Sequence, residues 1–330
     1  MADATAAETR PRVLVARIGA IGDICLLLPV VHALARHCDV DWLIRDEHVA
    51  LVRAFPQVAC RLIGVSPGPD PRQPFPPALV ATLRAARYQA LIDCSHWASV
   101  AWLAAALDDV PVRAVTRDPK QDALLGVERG LGESAFTCVV PVAPHAHQVE
   151  KWIALVRAAC GIELQLDWPL SPPRAIRADR PLRLFIHPHA SKPEKVWPAR
   201  HFARVLTELA RRRRVHCLVN GVRRRITHEL RGRLLLARAT TEVVPIDPSY
   251  ARLRAALGDV DLALGCDSGP LHFAALLGVP TLVLYARYPA AEFGPLWRST
   301  AVSPPPGRDV DAIEPSQVSA ALHAWLDGAT

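Results

Sequence analysis

The sequence predicts an α/β protein of two doubly wound, Rossmann-like domains facing one another across a cleft. Three observations predict it. Short apolar runs alternate with helix-length stretches along the whole chain, as in parallel sheets covered by helices. The alternation occurs twice, broken at 163–180 by a stretch with Pro169, Pro172 and Pro173 and no amphipathic period. The 330 residues leave room for two domains, each with its own core. We therefore place an N-terminal domain at 1–165, a linker at 166–181 and a C-terminal domain at 182–330. The last helix has the option of packing back onto the first domain.

The first series opens with the apolar strand Arg12–Ile18, the turn Gly19-Ala20-Ile21-Gly22-Asp23 and a long apolar helix through His37, with Pro29 expected to kink it. This turn is G-x-x-G-D and not the G-x-G-x-x-G of dinucleotide binding, so nicotinamide chemistry has little support. Gly19 and Gly22 let a backbone pass close to a ligand, and Asp23 at the helix mouth is either a cap or a positioned base. Strands follow at Val40–Arg45 and Arg61–Val65. A Pro-rich loop at 66–77, a helix to Arg87 and a strand at Ala90–Asp93 come next. Asp93-Cys94-Ser95-His96 ends that strand on the side where such sheets bind ligands, and His96 is either an acceptor contact or a buried filler. A helix (Ala98–Leu107) and a strand (Val112–Thr116) complete the series. The polar stretch 116–134 suits an acceptor loop or a merely exposed one, and the helix opened by Pro144–Trp152 runs to Cys160.

The second series begins with the strand Leu182–His187. The loop His187–Pro198, carrying Ser191, Lys192 and Lys195, leads into a helix at Ala199–Arg213. Val215–Asn220 and Thr241–Pro245 read as strands, with a helix after Gly221 and another at Ser249–Leu257. The most informative stretch is 260–278: a buried strand (Val260–Leu264), a tight turn (Gly265–Gly269) and an apolar helix (Pro270–Leu277) closed by Gly278. Ser268 or Asp267 is placed to cap that helix, and Gly269 to let a ligand approach the amides. Unpaired N–H groups and the positive dipole end make such a mouth an anion site. Val279–Leu284 is a strand, 287–306 is loop-like, and Pro315–Leu326 is an amphipathic helix.

Composition narrows the class. With 51% hydrophobic and 22% charged residues the chain reads as soluble and globular. No run approaches the ~18 apolar residues of a membrane span. The first ten residues lack a basic flank and an apolar segment, so no signal peptide is expected and the cytoplasm is the expected compartment. Eight cysteines are scattered without a C-x-x-C pair, which favours reduced core thiols over zinc or disulfides. The net charge is +7, and only Lys120, Lys151, Lys192 and Lys195 among the 39 basic residues are lysine. A basic surface serves nucleic acid, anionic membrane or phosphorylated substrates, and without a nucleic-acid motif the last two are favoured.

Four blocks together resemble the glycosyltransferase family 9 heptosyltransferases of lipopolysaccharide inner-core synthesis. They are Gly19–Asp23, His147-Gln148-Val149-Glu150-Lys151-Trp152, His189–Pro198 and Gly265–His272, in the family's order from about residue 12 to 326. The resemblance implies a GT-B fold and an inverting, metal-independent transfer, without cofactor, from ADP-L-glycero-D-manno-heptose. It implies Asp23 as general base. By the same resemblance Lys195 and Ser191 would lie near the donor phosphates, and Asp267, Ser268, Gly269 and His272 would hold the sugar and pyrophosphate. Gly19, Gly22, His96 and Lys151 fall to the acceptor side and its loop. The implied acceptor is an anionic lipid-linked saccharide, Kdo-lipid A or heptosyl-Kdo-lipid A, met at the inner face of the cytoplasmic membrane. Two positions depart from the family pattern: Ala286-Arg287-Tyr288 replaces a Gly-Pro-Thr run, and Asp93-Cys94-Ser95-His96 an Asp-x-Gln-Gly-like one. Two other readings are a related GT-B transferase with a different sugar or acceptor, and a non-catalytic nucleotide-sugar binder.

Overall fold

The computed structural model describes residues 10–66, 74–117, 134–177, 179–220, 224–236, 240–244, 250–285 and 289–328. The chain divides into two compact units: Met1–Gly19 with Leu27–Leu166, and Ala20–Leu26 with Asp167–Thr330.

The first unit is built on β1 (Arg12–Ala16), β2 (Asp39–Arg45), β3 (Arg61–Val65), β4 (Ala90–Asp93), β5 (Val112–Arg117) and β6 (Cys138–Pro141). All neighbours are parallel, in the order β3-β2-β1-β4-β5-β6. Its helices are α1 (Ile21–Leu34), α2 (Asp46–Arg53), α3 (Pro77–Ala85), α4 (Ala98–Ala106) and α5 (Gln148–Cys160). The opening residues of α1, through Leu26, cluster with the second unit. Val13 to Ala16 of β1 are all buried, as expected for a strand with helices over both faces. The strand order reverses between β1 and β4, so their carboxyl ends mark the ligand-binding switch point of this sheet.

The second unit repeats the plan with β7 (Leu182–His187), β8 (Val215–Asn220), β9 (Thr240–Val244), β10 (Leu262–Cys266), β11 (Thr281–Leu284) and β12 (Ser299–Val302). The order is β12-β11-β10-β7-β8-β9, with the switch point between β7 and β10. Its helices are α6 (Ala199–Arg212), α7 (Arg224–Leu236), α8 (Tyr250–Leu257), α9 (Gly269–Leu276), α10 (Ala290–Phe293) and α11 (Pro315–Leu326). Leu184, Ile186, Phe202, Leu206, Leu264 and Leu282 form its core with Trp197. The Trp197 backbone N–H donates to Cys266 Sγ at 3.3 Å and its indole N–H to Ile313 O at 3.0 Å.

Several expectations are corrected here. Helix α2 and strands β6 and β12 have no counterpart in the sequence reading. Strand β6 is short, ends in a proline and is partly exposed, so it carries no strong apolar pattern. Segment 289–302, read as loop, holds α10 and β12. In the terminal helix α11, Val318, Leu322 and Trp325 enter the second unit's core. Ser319 Oγ donates to Glu208 at 2.9 Å and the Trp325 indole to Thr300 at 3.0 Å. Residues of the stretch read as linker are hydrogen-bonded: Ser171 N–H donates to Leu276 O and Arg174 N–H to Gly278 O. Most of the 66–77 and 116–134 loops, and Ala286-Arg287-Tyr288, lie outside the described residues.

Candidate active site

At the carboxyl ends of β7 and β10, within the second unit, lies a cavity of about 770 Å³. Its wall includes Gly22 and Asp23 of the α1 opening, Ser191 and Lys195 of the loop after β7, and Asp267, Ser268, Gly269 and His272 around the mouth of α9. Eight positions singled out in the sequence therefore line one space, although they come from three separated parts of the chain.

Its electrostatic centre is Asp267, which is 9% exposed. Lys195 Nζ donates to Asp267 Oδ2 at 2.6 Å, a length typical of a charge-assisted bond. His272 Nε2 stands 3.9 Å from Oδ1, beyond hydrogen-bond distance. Burial works to raise the Asp267 pKa, but His272 and Lys195 more than offset it and hold the carboxyl below its ordinary range. The lysine expected to meet phosphate is thus paired with an internal carboxylate. A short 3₁₀ turn, Pro193–Lys195, sets its position.

The helix mouth differs in detail from the sequence expectation. Strand β10 continues through Gly265 and Cys266, leaving only Asp267 and Ser268 as the turn. Gly265 serves strand packing, because a Cβ there would lie 2.3 Å from His187 O across the sheet. Ser268 is the N-cap by position, yet its hydroxyl donates back to Cys266 O at 3.0 Å and no side chain caps the helix. Asp267 is turned to Lys195 instead. The mouth of α9 thus keeps its positive end uncapped by side chains, facing the cavity. Gly269 is small for a different reason from the one expected: an added Cβ would come within 2.3 Å of Ile21 Cγ2. A Cβ on Gly22 would sit 3.3 Å from His272 Cδ2, so these two glycines let the Asp23 segment close onto α9. The left-handed residue of the first loop is Ala20, at φ 59°, and neither glycine.

The cavity residues that escaped the sequence reading include His187, Tyr250 and Phe293. His187 ends β7 and is 3% exposed, and its Nδ1 has no hydrogen-bond partner. Burial, reinforced by neighbouring His189, pushes its pKa down to about 3, so the ring is neutral near pH 7. The available signal was its place as the last residue of an apolar strand at the switch point. Tyr250 and Phe293 come from helices that no motif marks.

Gly19, His96 and Lys151 are absent from this cavity. Gly19 packs under the Trp97 ring, where a Cβ would meet Cη2 and Cζ2 at 3.1 Å. His96 lies at the first unit's switch point, with its N–H donating to Asp93 Oδ1 at 3.1 Å and Nε2 2.9 Å from Thr116 Oγ1. Lys151 is 3% exposed within α5. Its block has a local structural role: the His147 ring accepts from Val149 N–H and Glu150 accepts from His147 N–H, a reciprocal cap that starts α5. Among the described residues no three His, Cys, Asp or Glu side chains converge as a metal set, and no helix is long and apolar enough to cross a membrane.

The family model described as glycosyltransferase family 9 (heptosyltransferase) matches residues 77–304. The chain belongs to glycosyltransferase family 9. This family 9 enzyme is a heptosyltransferase-like glycosyltransferase, and the solved structures it resembles share its whole two-domain plan. A family 9 glycosyltransferase from Veillonella parvula superposes with a TM-score of 0.73 at 15% identity, covering 96% of this chain and 97% of the other. ADP-heptose lps heptosyltransferase II of E. coli gives 0.71 at 20% identity, covering 96% and 98%. E. coli heptosyltransferase WaaC, solved with ADP, gives 0.68 at 18% identity, also covering 96% and 98%. At these identities the likeness establishes the GT-B fold alone. No curated protein sequence matches the chain.

Proposed function

We propose that this chain transfers a heptose from ADP-L-glycero-D-manno-heptose to a lipopolysaccharide inner-core acceptor, Kdo-lipid A or heptosyl-Kdo-lipid A, with inversion and without a metal. The observation that carries the reading is the Lys195–Asp267–His272 cluster at an uncapped helix mouth, in one cavity with Asp23. An ADP-sugar donor is supported by the family and by WaaC, described with ADP and with ADP-2-deoxy-2-fluoro heptose.

In this reading the diphosphate lies against the α9 mouth. Lys195 exchanges Asp267 for a phosphate oxygen, while Asp267 stays beside His272. The Asp23 carboxylate takes the acceptor hydroxyl proton, and that oxygen attacks the anomeric carbon on the face opposite the diphosphate. The bond from anomeric carbon to phosphate oxygen breaks, and ADP leaves with the electron pair. Lysine and helix dipole stabilise the charge that accumulates there, the role a metal plays elsewhere. The acceptor is lipid-linked, so the enzyme works at the inner face of the cytoplasmic membrane.

Calorimetric titration with ADP-heptose, UDP-sugars and dTDP-sugars tests the donor, with selective binding of ADP-heptose expected. Asp23→Asn is expected to lower turnover by roughly 10²–10⁴-fold with donor affinity retained. Turnover that collapses with EDTA and returns with a divalent ion refutes the metal-free step. A wild type that binds the donor but transfers to no acceptor would make the chain a binder.

A further inference from the structure

The eight cysteines, read from the sequence as scattered reduced thiols, are not alike in the structure. Cys25, Cys94, Cys217 and Cys266 are buried singly, and burial pushes each thiol up, so they stay protonated and inert near pH 7. Two others meet. Cys38 lies in the connection between α1 and β2, and Cys160 is the last residue of α5. Helix α5 packs on β4, β5 and β6, and its first half is tied to the carboxyl edge of the sheet, where the Arg17 guanidinium carbon lies 5.8 Å from the Trp152 ring centroid. From there it runs back against the strand direction and ends at the amino edge, where β2 begins at Asp39. At that edge the Cys38 and Cys160 thiols are hydrogen-bonded to one another.

We propose that Cys38 and Cys160 form a reversible thiol–disulfide site: hydrogen peroxide oxidises the pair to a disulfide that fastens the end of α1 to the end of α5, and a thiol reductant opens it. The proposal is independent of the transferase reading, since both residues belong to the first unit and neither lines the cavity.

The neighbours decide which sulfur attacks. Arg10 reaches over the α1–β2 connection, with Nη2 donating to Ala35 O at 2.6 Å and to Cys38 O at 3.1 Å. The hydrogen bond from Cys160, helped by the Arg10 charge, holds the Cys38 thiol below its ordinary range against burial and Asp39. The same bond, with burial, keeps Cys160 protonated. The Cys38 thiolate therefore attacks a peroxide oxygen. An S–O bond forms, the O–O bond breaks, and the departing hydroxide takes up the proton shed by Cys38 and leaves as water. The Cys160 sulfur then attacks the Cys38 sulfur: the S–S bond forms, the S–O bond breaks, and the Cys160 proton leaves with the hydroxyl as a second water. The two thiols lose two electrons, and the peroxide gains them.

The site is placed to let this happen. Cys38 is 1% exposed but Cys160 is half-buried, so a reagent as small as peroxide enters beside Cys160. Helix α5 stops directly after Cys160, at Gly161 with φ 68°, and a helix end yields more readily than a helix interior to the closer approach a disulfide needs. The cross-link closes a loop over most of the first unit and so removes freedom from its unfolded chain. In reducing surroundings the pair stays a dithiol.

The test uses the full chain, freed of reductant and treated with hydrogen peroxide, then denatured, alkylated and mapped by mass spectrometry. Two of the eight thiols are expected to disappear, with the peptide holding Cys38 joined to the one holding Cys160, and dithiothreitol should return both. Oxidation should raise the melting midpoint of the wild type by about 5–10 °C. In Cys160→Ser the cross-link and the rise should vanish, and Cys38 should stop as a sulfenic acid that dimedone labels. Thiols lost through any other pairing, all eight thiols left intact, or an unchanged midpoint in the cross-linked protein overturns the site. The wild-type map decides by itself, so the result stands even if Cys160→Ser does not fold.

Discussion

The two units wind the same sheet and carry opposite answers at the same place. At the β1/β4 switch point the buried acid, Asp93, is turned inward: it accepts the N–H groups of Ser95 and His96, and burial raises its pKa to about 7. At the β7/β10 switch point the corresponding acid, Asp267, is held by Lys195 and His272 on the wall of a cavity and kept ionised. A carboxylate that closes its own turn organises a loop. One balanced by a lysine and a histidine organises a charge that a ligand can displace. The winding is shared, and the chemistry sits in a few residues at the strand ends.

The comparison is most sharply broken by taking away the charge in the second unit. Lys195→Ala should lower turnover by roughly 10²–10³-fold and weaken ADP binding, as steady-state kinetics and calorimetry would show, because the diphosphate loses its cation and Asp267 is left buried without its closest partner. A loss confined to acceptor KM would contradict the assignment. Next in size is Trp197→Ala, which removes the indole that ties the loop of Lys195 to the core. A destabilisation of roughly 3–5 kcal/mol in chemical unfolding is expected, confined to the second unit.

The switch points should also answer pH in opposite directions. Asp93 has a folded pKa near 7 against an ordinary 3.8, so the folded state binds the extra proton. Its stabilisation is complete below about pH 4 and is lost as pH rises towards 7. His187 has a folded pKa near 3 against 6.5, so the unfolded state binds the extra proton. Its stabilisation is complete above about pH 6.5 and is lost as pH falls towards 3. Each group contributes a slope of up to about 1.4 kcal/mol per pH unit, and between pH 4 and 6.5 the two oppose one another. Hydrogen exchange of the β4 and β7 amides should show the two units drifting apart, Asp93→Asn flattening one profile and His187→Asn the other. Parallel profiles would remove the contrast. The smallest expected effect is at Ala20, where glycine relieves a left-handed backbone and should raise the melting midpoint by the equivalent of about 1 kcal/mol or less, since glycine also gives up unfolded-state entropy.

Much of the fold was legible because buried parallel strands leave a strong mark. Arg61–Val65, Ala90–Asp93, Leu182–His187 and Val215–Asn220 were read with the bounds they have in the structure, each an apolar run closed by polar or turn residues. Strands β6 and β12 were missed because edge strands need little apolar sequence, and α2 because eight residues with acidic and basic ends look like a loop. The candidate site was legible as a set of turns after strands. Glycines and loop residues in that position are recognisable one at a time, but a one-dimensional pattern carries no information on what a side chain turns towards.

The two βα series, the proline-bearing stretch at 163–180 read between them and the residues that stand at strand ends were legible in the sequence, since these follow from local periodicity and turn chemistry. Only the tertiary structure decided that Asp267 faces Lys195 instead of capping α9, that Gly269 is small to admit Ile21, and that His187 is a buried neutral ring on the cavity wall. Each of those outcomes depends on atoms from segments far apart in the chain, and their competing contacts are settled only when the sheet brings them within reach.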